Sequence, residues 1–178
     1  MKDMVTDEAL AEAAGRGDAD AFGVLVARVY DRAFAVAFRL TGSRAEAEDI
    51  CQDICEALPR KLVSFDGRSR FATWLYRVIV NAVHDAHRKQ ASRARAAEGW
   101  GDVELARRAE AEEAEAALDW LTLAMAALPD DLRQTAVLVL EPLTHREVGE
   151  ILCISEGTVA WRMSDVKKRL RAMKEAEL

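Results

Sequence analysis

The sequence predicts an all-α protein of two small helical domains joined by a flexible linker, the second built on a helix-turn-helix. Three observations carry that expectation. The 178 residues hold only three prolines and nine glycines, and helix formers such as Ala, Leu, Glu and Arg are abundant. Apolar residues recur three and four apart along most of the chain, with no convincing run of alternating strand pattern. One stretch, 91–112, has few large apolar residues, carries Gly99 and Gly101, and reads as a linker with transient helix. The division is therefore residues 1–92, a linker at 93–112, and residues 113–178.

The first domain should hold four helices. The first covers about residues 6–15 and breaks at Gly15 and Gly17. Asp18 or Asp20 can cap the second, about residues 20–41. Its inward stripe is Phe22, Leu25, Val26, Val29, Ala33, Val36, Ala37 and Leu40. Thr41-Gly42-Ser43 ends it. Ser43 and Glu46 have capping-box spacing for a third helix, about 44–62. That helix buries Ala47, Ile50, Cys51, Ile54 and Leu58 and shows Glu48, Asp49, Gln52, Asp53 and Glu56 on its other side. Pro59 threatens to kink or end it. A glycine-containing basic loop at 64–69 leads into the fourth helix, whose aliphatic face is Leu75, Val78, Ile79, Ala82, Val83 and Ala86.

The second domain begins near Glu113. A helix over 113–127 turns Leu118, Leu121, Met125 and Leu128 inward, and Pro129-Asp130-Asp131 starts another that ends before Pro142. Thr144 and Glu147 form a capping box for a short helix, 145–152. Cys153-Ile154 turns the chain, and Ser155 caps a final helix, 156–174, with Thr158 three residues on. Val148, Ile151, Leu152, Ile154, Val159, Met163, Val166 and Leu170 should share one core. A short helix, a tight turn and a longer basic helix are the helix-turn-helix plan.

Charge distribution points to a polyanion. The net charge is −6, so a uniformly basic coat is excluded. Residues 60–95 nevertheless carry nine Lys/Arg against Asp66 and Asp85, and residues 156–174 carry six against Glu156 and Asp165. Between them, residues 98–119 hold eight acids against Arg107 and Arg108. Two basic patches separated by an acidic stretch fit two contacts on one nucleic acid. Around residues 65–90 the pattern is sharper. Arg68 and Arg70 sit in the loop, and Arg77, Asn81, His84 and Arg88 line one helix face as donors for phosphates or base edges. Trp74 and Tyr76 add aromatic surface suited to stacking on unpaired bases.

In order along the chain stand LTG (40–42), AED (47–49) with Gln52-Asp53, FDGRSRFATWLYRVIVNAV (65–83), ALP (127–129), L-T-x-x-E-V-x-E-I-L (143–152) and ISEGTVAWRM (154–163). Together these motifs resemble the extracytoplasmic-function, or group 4, RNA polymerase sigma factors over about residues 20–90 and 113–172. The resemblance implies two helical domains that bind core RNA polymerase, direct it to promoter DNA and help melt it, under the control of an anti-sigma factor. It assigns Glu48, Asp49, Gln52 and Asp53, with Glu56 on the same face, to polymerase docking. It assigns the loop Phe65–Phe71 to capture of a flipped minus-ten base, whose extrusion costs a few kcal/mol. Trp74, Arg77, Asn81 and Arg88 would hold the strand and the upstream duplex, with His84 facing DNA. Residues 155–168 match the minus-thirty-five reader, giving Ser155, Thr158, Trp161, Arg162, Asp165 and Lys168 as contacts. Departures from the family lie there too: Ala160 and Asp165 stand where Lys or Arg is common, Trp161 where a small polar residue is, and Cys153 where the turn usually has glycine.

Other readings bear on these residues. Charged helix faces are commonly just solvated. Cys51 and Cys55, one turn apart, fit two small core residues better than a metal or redox pair. His84 and His87 lack the cysteine or carboxylate company of a metal site. Trp161 could anchor a partner rather than read bases. No nucleophile–base pair, glycine-rich phosphate loop or paired catalytic carboxylates stand out, so no enzyme, cofactor, metal or small-molecule substrate is expected. Ala160, Trp161 and Asp165 keep open a sigma-like interaction protein that binds an anti-sigma factor or polymerase without reading DNA. An ordinary helix-turn-helix repressor would leave residues 65–90 without a role. The start MKDMVTDEAL lacks the pattern of a signal peptide, no run is apolar enough to insert in a membrane, and the cysteine usage fits a reducing cytoplasm.

Overall fold

A computed structural model describes residues 5–96 and 120–176. They form eight helices and, among the described residues, no strand: α1 Asp7–Gly15, α2 Ala19–Thr41, α3 Arg44–Leu62, α4 Phe71–Ala96, α5 Trp120–Ala126, α6 Asp130–Val139, α7 His145–Leu152 and α8 Glu156–Ala176. The first four make one unit and the last four a second. The expected linker at 93–112 falls mostly outside the described residues, as do Leu118 and Trp100, the one aromatic residue of that stretch. Its first residues continue α4, which runs to Ala96.

Local chemistry sets the helix ends. Thr6 caps α1 by accepting from Ala9 N at 3.2 Å, and Asp18, rather than Asp20, caps α2 by accepting from Ala21 N at 2.9 Å. Gly42 closes α2 with φ 72°, a left-handed conformation that costs a glycine nothing. Ser43 Oγ accepts from Glu46 N at 3.3 Å. The Glu46 carboxylate reaches His87 at 3.5 Å on α4 instead of closing the expected box. The α4 start is capped from afar, with Phe71 N donating to Glu8 Oε1 of α1 at 3.1 Å. In α7 both arms of the box form: Thr144 Oγ1 accepts from Glu147 N at 3.2 Å and Thr144 N donates to Glu147 Oε2 at 2.8 Å.

Pro59 lies inside α3 without ending it. The missing N–H and the ring clash cost about 3 kcal/mol. Leu58 and Leu62 on either side are each 1% exposed, and full burial of such side chains returns about 1.5–3 kcal/mol each. Packing therefore outweighs the local penalty.

The predicted stripes are the buried ones. Leu25, Val29, Ala33, Val36, Ala37 and Leu40 of α2 meet Ala47, Ile50, Cys51, Ile54 and Leu58 of α3 and Leu75, Ile79 and Val83 of α4 in one core, with Phe22 and Val26 packed at its edge. In the second unit Val148, Ile151, Val159 and Val166 are buried, and Leu152, Ile154, Met163 and Leu170 pack against them. Leu121 is the exception and is exposed. The turn between α7 and α8 puts Cys153 at φ 56°. It also brings Ile154 O so close to Gly149 that a Cβ there would lie 2.7 Å from it. The units touch: α2 packs on α5 and α6, and α4 packs on α7.

Candidate nucleic-acid interface

The acidic face of α3 emerges intact. Because Ile50, Cys51, Ile54 and Leu58 point into the core, Glu48, Asp49, Gln52, Asp53 and Glu56 must point out, and all five are exposed. Glu48 pairs with Arg44 at 2.9 Å, Asp53 with Lys89 at 3.6 Å, and Gln52 donates to Glu56 at 3.2 Å. Exposed pairs of this kind contribute only about 0.2–1 kcal/mol each, so they leave the face free to exchange them for a partner's cations.

The loop before α4 rests on an aromatic group. Phe65, Phe71 and Trp74 form a triad, with ring centroids 5.7 Å apart for Phe65–Phe71, 5.5 Å for Phe65–Trp74 and 5.7 Å for Phe71–Trp74. Phe65 and Phe71 are buried, whereas Trp74 keeps part of its ring at the surface. The triad thus fixes the base of the loop while Arg68 and Arg70 stay outside. Arg68 pairs with Asp66 at 3.1 Å. On α4, Arg77, Asn81, His84 and Arg88 are all exposed on the predicted face, and Arg88 also pairs with Asp85.

Tyr76 departs from expectation. Its ring is 0% exposed and offers no stacking surface. It sits among Leu75, Val78 and Ile79 because the inward face of α4 is wider than the aliphatic stripe alone. Its hydroxyl donates to Glu141 Oε2 at 2.6 Å. Burial, then the Glu141 hydrogen bond and charge, hold the phenol well above its ordinary range, so it stays a donor.

Several of the candidate DNA contacts are already occupied by the second unit. Arg70 and Thr73 both donate to Glu147 Oε1, each at 3.1 Å. Arg77 donates to the Glu150 carbonyl at 3.0 Å. His84 Nε2 meets Gln134 Nε2 at 2.8 Å. Arg39 joins Tyr76 on Glu141, at 2.8 Å. Glu147 is held below the usual carboxylate range, chiefly by the Thr144 backbone N–H, with help from the Thr144 and Thr73 hydroxyls and Arg70 and with burial opposing. Arg39, Thr73 and Glu141 are the residues that sequence reasoning missed. The signal for them is contact between segments 65 or more positions apart, which no local pattern carries.

On α8 the candidates separate. Ser155, Trp161 and Lys168 are exposed, Trp161 at 65%, and Ala160 lies exposed beside it. Ser155 Oγ is spent on the cap, 3.1 Å from Thr158 N, and Thr158 is half-buried. Arg162 turns inward: its side chain is 19% exposed, pairs with Asp131 at 3.3 Å, and reaches Thr135 Oγ1 at 3.4 Å. Asp165 pairs with Arg169 at 3.0 Å, which blunts its repulsion of a phosphate. A stripe of Gly157, Ala160, Trp161, Ser164, Lys168 and Arg171 remains at the surface, small or apolar at one end and cationic at the other.

The cysteines do not gather into a site. Burial, then the neighbouring Cys55, pushes the Cys51 thiol up to about 11, and burial raises Cys55 as well. Both are therefore poor nucleophiles at neutral pH. Among the described residues no group of His, Cys, Asp or Glu could hold a metal ion, and no helix is long and apolar enough to cross a membrane.

Residues 25–93 match the family profile of Sigma-70 region 2. The chain is 32% identical over 173 residues to the ECF RNA polymerase sigma factor SigW of Bacillus subtilis, covering 88% of this chain and 90% of that one. It is 30% identical over 175 residues to the ECF RNA polymerase sigma-E factor of Escherichia coli K12, covering 92% and 91%. Among solved structures it is similar to CnrH in complex with the cytosolic domain of CnrY, with TM-score 0.70, 26% identity, and coverage of 97% and 99%. It shares its fold with the sigma factor RpoE of Bartonella quintana in complex with the anti-sigma factor NepR, with TM-score 0.71, 20% identity, and coverage of 88% and 98%.

Proposed function

The chain belongs to the ECF RNA polymerase sigma factors, and from that membership we propose how its surfaces divide the work of transcription initiation. The α3 face of Glu48, Asp49, Gln52, Asp53 and Glu56 docks on core RNA polymerase. Arg68 and Arg70 of the loop, with Trp74, Arg77, Asn81, His84 and Arg88 of α4, take the minus-ten region as an opened strand and the duplex just upstream. Their types suit the task, since arginines grip phosphates and a partly exposed indole, backed by Phe65 and Phe71, can stack on a base. The exposed stripe of α8, with Trp161 and Lys168, enters the major groove of the upstream element. Arg162 supports that helix from behind.

The observation that carries this reading is the exposure of all five α3 polar residues on a helix whose other side is core. The protein supplies positioning and strand capture, and bond making belongs to the polymerase. CnrH and RpoE were each solved with a partner, in RpoE's case an anti-sigma factor. We extend such control to this chain, and place it in the cytoplasm, where its polymerase is. The test is binding to core polymerase. Asp49→Lys with Asp53→Lys should weaken it by at least about tenfold, or 1.4 kcal/mol; unchanged affinity would contradict docking through α3.

A second reading is favoured by one observation: Arg162 faces inward and Asp165 is acidic on the helix that should read DNA. In it the chain binds polymerase or an anti-sigma factor but specifies no promoter. Polymerase carrying this chain would then start transcription nowhere in particular.

A further inference from the structure

Beside the apolar packing of α2 on α5 and α6, two of the polar contacts between the units share one chemistry. Glu147 Oε1 accepts from Arg70 Nη1 and Thr73 Oγ1, both at 3.1 Å. Glu141 accepts from Arg39 Nη1 at 2.8 Å through one oxygen and from the Tyr76 hydroxyl at 2.6 Å through the other. In each case an arginine and a hydroxyl from the first unit converge on one carboxylate from the second. In each pair the hydroxyl stands on α4, which Leu75, Ile79 and Val83 anchor in the core, and with the second unit packed over them Thr73 is 2% exposed and Tyr76 0%. The carboxylates are shielded too, Glu147 at 16% and Glu141 at 12%. An arginine beside a fixed hydroxyl is a suitable cradle for any small oxyanion, a phosphodiester included.

We infer that Arg70–Thr73 and Arg39–Tyr76 are two backbone-phosphate sites of the first unit, filled in the closed chain by Glu147 and Glu141 as surrogate phosphates. The inference rests on the sigma-factor reading and deepens it. Neither Arg39 nor Tyr76 lies in the basic loop or on the outward face of α4. Together with Arg70 and Thr73 they extend the strand path from the loop across α4 to the end of α2.

Two consequences follow. Closure and strand binding are mutually exclusive, because each donor pair can hold a carboxylate or a phosphate but not both. Surfaces elsewhere stay available: the acidic face of α3 and the Trp161–Lys168 stripe of α8 are exposed while the units are closed. The closed chain can therefore engage polymerase before it can engage the minus-ten strand. Ion pairs across such an interface roughly break even against their desolvation, so this clasp can yield to a strand that offers several phosphates at once.

The experiment uses the full chain with Glu141→Gln and Glu147→Gln together. Glutamine keeps the size and can still close the box with Thr144, which circular dichroism verifies. Small-angle X-ray scattering reads closure. Fluorescence anisotropy reads binding of a fluorescein-labelled single-stranded oligodeoxynucleotide of mixed sequence at low salt. The double variant should expand and bind DNA about tenfold more tightly, as when a closed state that held all but about a tenth of the population is released. Adding Arg39→Ala should reverse part of the gain and lower the salt slope by about one. Expansion without tighter binding would overturn the phosphate assignment, as would a gain untouched by Arg39→Ala. A chain that stays compact and binds no better would overturn the role of the glutamates. Core-polymerase affinity of the wild-type chain, measured alongside, separates the two levels, since its absence would fault the sigma-factor reading and not the clasp.

Discussion

Tyr76 and Glu141 stand 65 positions apart and meet at 2.6 Å, hydroxyl to carboxylate, where the two helical units join. The phenol is buried and Glu141 has a second partner in Arg39. Removing the hydroxyl with Tyr76→Phe keeps the ring that fills the core. Hydrogen bonds to charged acceptors contribute about 1.5–3 kcal/mol. The units should therefore loosen by about 1–2 kcal/mol while the first unit keeps its fold. A double-mutant cycle with Glu141→Gln, read by denaturant unfolding, measures the coupling; additive effects would show that the contact carries no energy.

Closure should depend on acidity through Glu147. Its carboxyl titrates below the ordinary value of 4.5, chiefly through the Thr144 N–H, then the hydroxyls of Thr144 and Thr73 and the charge of Arg70. A lowered folded value means the stabilisation is complete above the unfolded value and is lost as pH falls through the folded one. Thr144 stays with Glu147 when the units part, so only the Thr73 and Arg70 share of the lowering is linked to closure. Closure is thus expected to be flat through neutral pH and to weaken as the Glu147 carboxyl protonates in acid. Scattering across a pH series checks this, and Glu147→Gln should remove that part of the transition.

Much of the fold was legible because local rules and tertiary packing agree. Ser43, Thr144 and Ser155 cap the helices they were expected to cap, and the apolar stripes of α2 and α3 are the core. The exposed face of α3 followed by geometry, since a helix with Ile50 and Ile54 inside must show Glu48 and Asp53. Two things were not legible. Glu46 left its box for His87, and α4 took its cap from Glu8, because partners distant in sequence compete with local ones. The occupied state of Arg70, Thr73, Arg77 and His84 was also invisible: periodicity places a side chain on a face but cannot say what covers it.

The turn between α7 and α8 predicts opposite effects for two substitutions. Cys153 holds φ 56° and ψ 41°, where a Cβ is strained. Cys153→Gly should raise stability by about 0.5–1 kcal/mol. Gly149→Ala would set a Cβ 2.7 Å from Ile154 O and should lower stability by about 1–3 kcal/mol through overpacking. Thermal denaturation of the two variants tests the pair, and a stabilising Gly149→Ala would contradict the close approach.

Arg162 and Lys168 should separate structure from DNA contact. Arg162→Ala removes the ties to Asp131 and Thr135 and should lower the thermal midpoint of unfolding. Lys168→Ala should leave that midpoint unchanged. It should weaken promoter binding by the holoenzyme about equally across sequences and reduce the salt slope by about one.

Transcription reconstituted from core RNA polymerase and this chain, on a pool of genomic fragments with every start mapped, tests the central claim most directly. Discrete starts that share a pair of upstream elements, and that vanish without the chain, are the predicted result. Starts no different from those of core polymerase alone, with the chain bound to it, would contradict the claim.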